Sequence, residues 1–163
     1  TYMGETRPAD DGAGNTRLGT ATAFFDVTYD TTKTDVQTND NQIVTITGSP
    51  TNGATFTLTV NDGGTLKTTA PITFAPSRAQ TGTNIQTALN TLLKPTPTSP
   101  DVVEVTQEPQ GGIQSRWRVR FINKLGSQDV PEMTGDVSGL GTATLTVTHN
   151  AAGSPASYPI TAT

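Results

Sequence analysis

The sequence predicts a mainly β protein: a two-layer, antiparallel, β-sandwich-like domain with one short helix and an N-terminal arm that carries a strand. Three observations predict it. Threonine makes up roughly one in five of the 163 residues, and a β-branched side chain suits a pleated strand while resisting a helix. Apolar and polar residues alternate with period two in segment after segment, as in "TFTLTV" (residues 55–60). Turn-forming clusters punctuate these segments, drawing on 16 Gly and 11 Pro.

Composition narrows the function classes. The chain is one domain of ordinary size, or one domain with an appendage. Only 32% of residues are hydrophobic, but only 15% are charged, and disordered chains combine low hydrophobicity with high charge. A net charge of −4 and a pI near 4.7 lack the basic excess that a phosphate-binding surface needs, so no nucleic-acid partner is expected. No apolar run approaches the roughly 18 residues of a membrane-spanning helix, so no membrane insertion is expected. The absence of cysteine removes disulfides, thiolate metal sites and cysteine nucleophiles. Because the sequence starts at Thr1, it is read as following either a removed leader or a removed initiator methionine.

Residues 1–38 read as an arm. Its first 16 residues show no periodicity, whereas "TATAFFDVTYD" (20–30) alternates. Ala21, Ala23, Phe25, Val27 and Tyr29 share one face; Thr20, Thr22, Asp26 and Thr28 share the other. The polar "TTKTDVQTNDN" (31–41) reads as a linker.

The core domain, residues 39–150, opens on the strand "QIVTITG" (42–48) and the turn "SPTNG". Phe56, Leu58 and Val60 then point inward from "TFTLTV", and "NDGG" (61–64) supplies a hairpin turn, since Asn, Asp and Gly accept positive φ. The return strand "TLKTTAPITF" (65–74) must lie at an edge or bulge at Pro71, which has no N–H for a ladder. Ile85, Ala88, Leu89 and Leu92 follow helical spacing, predicting a helix over 83–93 with Thr81 or Thr83 as N-cap, ending before Pro95.

Beyond the extended "KPTPTSP" connector come the strand "DVVEVTQ" (101–107), the turn "EPQGG" and the strand "SRWRVRFIN" (115–123). Trp117, Val119 and Phe121 are its core face, and Arg116, Arg118 and Arg120 its polar face. "QDVPEMTGD" is a short strand broken at Pro131, and "TATLTVTHN" (142–150) turns Ala143, Leu145 and Val147 inward. The tail, residues 151–163, offers a last short strand through Tyr158 and Ile160.

In order and spacing, "QIVTITGSPTNGATFTLTV", "TTAPITF", "IQTALNTL", "DVVEVT", "WRVRF", "DVPEMT" and "SGL" form a series along about two thirds of the chain. From Asn41 to about Thr148 that series resembles a Thr/Gly-rich β-domain repeat found in phage virion proteins and bacterial secreted surface proteins. Two departures stand out: "APSRAQTGTN" before the helix is longer than in the family, and the first 40 or so residues have no counterpart. The resemblance implies a β-rich building block of extracellular or virion structures, and it carries no catalytic residues across.

Candidate chemistry is sparse, and no enzyme, metal or cofactor is expected. His149 is the sole histidine, so any triad or histidine base must use it; at the end of a threonine-rich strand it reads as a surface residue. One histidine without cysteine does not make a zinc site. "ADDGAGN" (9–15) and "TNDN" (38–41) offer oxygen ligands but lack the EF-hand spacing, and read as polar loops. Arg116, Arg118 and Arg120 offer a polar contact face for an acidic neighbour or a sugar acid; its plainer reading is a solvated face paired with acids on the next strand.

The expected function is therefore a structural subunit of an extracellular filament or surface assembly. About 40 residues do not fold alone, so the arm's apolar face must be covered. Strand addition to a neighbouring copy through Ala21, Ala23, Phe25, Val27 and Tyr29 would cover it and, repeated head to tail, would give a homopolymer. The alternatives are a phage tail or capsid decoration protein, located in a virion, and a carbohydrate-binding module making glycan or host-surface contacts. The last needs an exposed aromatic platform, whereas Trp117 reads as core.

Overall fold

The structure, a computed structural model, describes residues 27–29, 38–109, 111–154 and 160–162. The chain divides into two units: Val36–Ala156, and Thr1–Asp35 together with Ser157–Thr163. It is mainly β, with antiparallel sheets and, among the described residues, a single α-helix, as the threonine content and the period-two patterning predict.

In the smaller unit, β1 (Val27–Tyr29) pairs antiparallel with β10 (Ile160–Ala162), Thr28 lying opposite Thr161. The expected strand over 20–30 is thus seen for three residues; 20–26 and 30 lie outside the described residues, as does Tyr158. The tail strand does form, and its partner is the N-terminal strand, a pairing that patterning alone does not give.

The larger unit holds two four-stranded sheets. One runs β6 (Val103–Gln107), β7 (Gln114–Phe121), β2 (Asn41–Thr47), β9 (Thr144–Ala151), all antiparallel. The other is centred on β3 (Thr55–Asp62). On one flank β4 (Thr65–Thr68) and β5 (Ile72–Thr73) follow one another along it, and β8 (Thr134–Asp136) also pairs with it. The predicted return strand 65–74 is therefore two strands. Its break falls at Thr69–Pro71, where Thr69 donates its N–H to Leu58 O and accepts Leu58 N–H on its hydroxyl at 3.1 Å. Pro71 thus falls where the ladder lapses, at an edge, because it has no donor to offer.

Between the sheets lies one core. Val44, Ile46, Trp117, Val119, Phe121, Val103 and Val147 from the first sheet meet Phe56, Leu58, Val60 and Ile72 from the second. Each fully buried aliphatic or aromatic side chain contributes about 1.5–3 kcal/mol by leaving water. Threonine at the alternate positions keeps strand propensity without building an apolar outer surface.

The helix α1 (Arg78–Leu93) starts five residues earlier than predicted. Its N-cap is Ser77, whose Oγ accepts the Gln80 N–H at 3.4 Å, rather than Thr81 or Thr83. Thr81 is buried inside the first turns, where its hydroxyl accepts the Ala75 N–H at 3.0 Å. Ile85, Leu89 and Leu93 face the core, with Ala88 and Leu92 at its rim. Gly82 lets the helix approach Trp117: a Cβ there would sit 3.1 Å from the indole Cδ1. The indole N–H donates to Arg78 O at 2.9 Å, so the buried ring has its polar handle satisfied. β7 ends at Phe121, and Asn123–Leu125 form a 3-10 turn instead of the strand's last residues.

Candidate functional site

Asp40, Gln42, Val44 and Ile46 point to the same inner face, because successive side chains of a strand alternate. Val44 and Ile46 belong to the apolar core, while Asp40 and Gln42 are polar and fully buried at its end. "TNDN" is accordingly no open polar loop: it carries the most deeply buried acid of the larger unit. The segment Asp129–Met133 crosses that end, and its backbone supplies the partners. Gln42 accepts the Met133 N–H at 2.8 Å and donates to Val130 O at 3.0 Å and to Asp40 Oδ1 at 3.3 Å. Asp40 Oδ2 accepts the Val130 N–H at 3.2 Å.

His149, opposite Gln42 on β9, completes the plug. Its Nε2 lies 2.7 Å from Asp40 Oδ2 and 3.8 Å from Asp129 Oδ1, and its backbone N–H donates to Glu132 Oε2 at 3.0 Å. The side chain is one-third exposed, so it is a surface residue as expected, but one anchored to a buried carboxylate. The hydrogen bond to Asp40 raises its pKa above the usual 6.5; burial opposes this, and the charges of Asp40, Asp129 and Glu132 add to it. An imidazolium here neutralises the one buried carboxylate of the plug.

Asp40, Asp129 and His149 each bring one potential metal-ligand atom within 4.8 Å of the others. Asp40 Oδ2 already accepts from Val130, and Oδ1 from Gln42, so the arrangement reads as an ion pair held by its surroundings. A catalytic triad would turn the second ring nitrogen to a nucleophile; among the described residues no hydroxyl hydrogen-bonds His149 Nδ1. Sequence reasoning missed Asp40 because nothing local marks it. The signal was its spacing of two from Gln42 and four from Val44, on the face that turns inward.

The arginine row lies on the outer face of β7. Arg118 pairs with Glu108 at 2.9 Å and Arg120 with Glu104 at 3.1 Å, so two of the three meet acids of the adjoining strand and its extension, the plainer of the two readings. Arg116, half-buried beside Thr45, has no acidic partner among the described residues. A recess of about 620 Å³ reaches Arg120 and Glu104, with Asn39, Asn123 and Ser127 on its walls. Trp117 is fully buried and offers no platform to a sugar ring. The exposed large hydrophobic residues among those described, Leu66 and Ile113, are both aliphatic.

Of the expected interface residues, Val27 and Tyr29 fall in β1, while Ala21, Ala23 and Phe25 lie outside the described residues.

The outer edge of β6 is closed by the helix. In an antiparallel ladder alternate residues turn their N–H and C=O groups away from the partner strand, and on β6 these are Val103, Val105 and Gln107. Asn90 Oδ1 accepts the Val103 N–H at 3.0 Å and the Val102 N–H at 2.7 Å, and Asn90 Nδ2 donates to Val103 O at 3.0 Å. Gln86 Oε1 accepts the Val105 N–H at 2.9 Å. Two side-chain amides on one helix face thus take the place of a further strand, which is one way a sheet edge is protected from unwanted pairing. The chain matches no protein-family model and no curated protein.

Proposed function

We propose that the chain is a non-catalytic structural subunit of an extracellular filament or surface assembly, joined to a neighbouring copy by strand addition through its N-terminal segment. One observation carries the reading. Among the described residues, the N-terminal strand pairs with the tail strand alone, as a two-stranded sheet of three residues each. A two-stranded ribbon is marginal in water and gains stability from a further strand or a packing surface.

Other features support the same reading. The threonine row on the outer face of β9, Thr144, Thr146 and Thr148, presents a wet, uncharged surface that suits repeated contact. The buried polar groups of the plug are engaged in holding the sandwich end together and none is left facing a cleft as a reactive pair. The resemblance of the motif series to a repeat of virion and secreted surface proteins supports a role as a building block of an assembly.

The test is sedimentation of the full chain over a wide concentration range, beside a variant carrying Ala23→Asp and Phe25→Asp. Concentration-dependent growth in mass that the double variant lacks is the expected result. A chain that stays monomeric throughout, or a variant that associates as the parent does, would contradict the proposal.

A further inference from the structure

The two edges of the larger unit's first sheet differ. On β6 Asn90 takes both outward backbone groups of Val103, and Gln86 takes the Val105 N–H. On β9 the outward residues are Leu145, Val147 and His149. The parity follows from β2: Asp40 O accepts the Phe121 N–H, so even-numbered residues of β2 turn to β7 and odd-numbered ones to β9. Gln42, Val44 and Ile46, which lie opposite His149, Val147 and Leu145, therefore leave those three residues' backbone groups facing away. Glu132 caps the His149 N–H. Leu145 and Val147 have no backbone partner outside the β2 ladder among the described residues.

This edge also lacks the usual protections. Thr144–Thr148 holds no charge and no proline, whereas natural edges are blunted with lysine, proline or brevity. The other sheet follows that rule: β4 is four residues and carries Lys67, β5 is two residues beside Pro71, and β8 is three residues. The core is thin at the same rim, with Leu145 half-buried and Val147 8% exposed against 0% for Val44 and Val119.

We propose that the β9 edge, at Leu145 and Val147, is the acceptor that takes the Thr20–Asp26 segment of a second copy as an added strand. The inference rests on the proposed function and names the surface it requires. The segment's chemistry fits. Ala21, Ala23 and Phe25 share one face, and Thr20, Thr22 and Phe24 the other, so one register lays the first set over Leu145 and Val147 and sets Thr20 and Thr22 beside the threonine face of β9, with Phe24 on that outer face. Seven residues extend for roughly 23 Å, enough to cover the uncapped part of the edge. Asp26 is the segment's only charge, so nothing on Thr144–Thr148 repels it. Glu132 sets where pairing stops, since its carboxylate occupies the donor that a longer added strand would need. Among the described residues β9 forms a ladder only with β2, while β8 of the other sheet packs beside it, with Gly135 against the Leu145 side chain.

The absence of native cysteine makes the contact directly testable. Full-length Thr22→Cys and Thr146→Cys chains, both changed on the threonine face, are mixed and treated with a short bis-maleimide, which tolerates a diagonal as well as a direct cross-strand neighbour. The expected result is a mixed covalent dimer on a denaturing gel, lost when the Thr22→Cys chain also carries Ala23→Asp and Phe25→Asp. If the unsubstituted chain self-associates and those aspartates abolish it, yet no mixed dimer forms, the acceptor is another surface: this inference falls and the proposed function stands. Cross-linking of Thr146→Cys to itself would assign the edge to a two-fold β9–β9 pair and overturn the inference. A Thr22→Cys/Thr146→Cys double variant that links only within one chain would also overturn it, by placing the segment in cis. A chain that neither associates nor cross-links removes both readings.

Discussion

At His149 the carboxylate of Asp40 favours the protonated ring, and at Asp62 two lysines favour the ionised acid. Asp62 meets Lys67 at 2.6 Å and Lys124 at 2.7 Å, and these contacts, Lys124 first, hold its pKa below the ordinary value. The pH consequences are opposite in sign. Because the folded-state pKa of His149 is raised, its contribution is complete below the unfolded value, near 6.5, and is lost as pH rises through the folded value. Thermal melts should therefore show a gap between the parent and His149→Gln that is widest below the ordinary imidazole value and shrinks as pH rises above it. For Asp62 the contribution is present above the ordinary carboxylate range and is lost as pH falls through the depressed value. Asp62→Asn should flatten the acid limb of stability, followed by circular dichroism. Asp40→Ala leaves the buried Val130 N–H without its acceptor and takes the carboxylate from His149, and should cost about 1–3 kcal/mol in urea unfolding. Gly82→Ala isolates packing from propensity. Alanine gains about 1 kcal/mol in a free helix, but its Cβ would press on a buried indole already tied to Arg78 O, so a net loss of stability is expected.

Among the elements, α1 does two jobs on two faces. Ile85, Leu89 and Leu93 fill the core, while Gln86 and Asn90 close the β6 edge. Asn90→Leu removes that cap and strands buried backbone groups of Val102 and Val103. We expect a loss of at least about 1–3 kcal/mol, together with light scattering on warming as the uncovered edge pairs between molecules. Much of this helix was legible: its spacing places Leu89 and Leu92 correctly and stops it before Pro95. Its first turns were not, because Arg78, Ala79 and Gln80 show no apolar period and the capping serine precedes a polar run. Gln86 and Asn90 read as an ordinary wet face, since their role exists only once β6 arrives beside them. Strand faces were legible throughout, Trp117 and the arginines included, because period-two alternation is local. Asp40 and the β1–β10 pairing were not, because each depends on residues more than a hundred positions away.

In the molecule as a whole the two edges of the first sheet are unequal: one is capped by helix amides at Val103 and Val105, the other by Glu132 at His149, and the proposed terminal segment has the alternation to fill the second. Self-association should accordingly be specific, saturating one edge per copy, and should leave the sandwich itself unchanged. The most direct measurement is amide hydrogen exchange at single-residue resolution, on dilute and on concentrated full-length protein. Val103 and Val105 should be protected under both conditions, while Leu145 and Val147 should exchange quickly when dilute and slowly once copies associate. Protection of Leu145 and Val147 at high dilution, or their continued rapid exchange within the assembled form, would contradict the account.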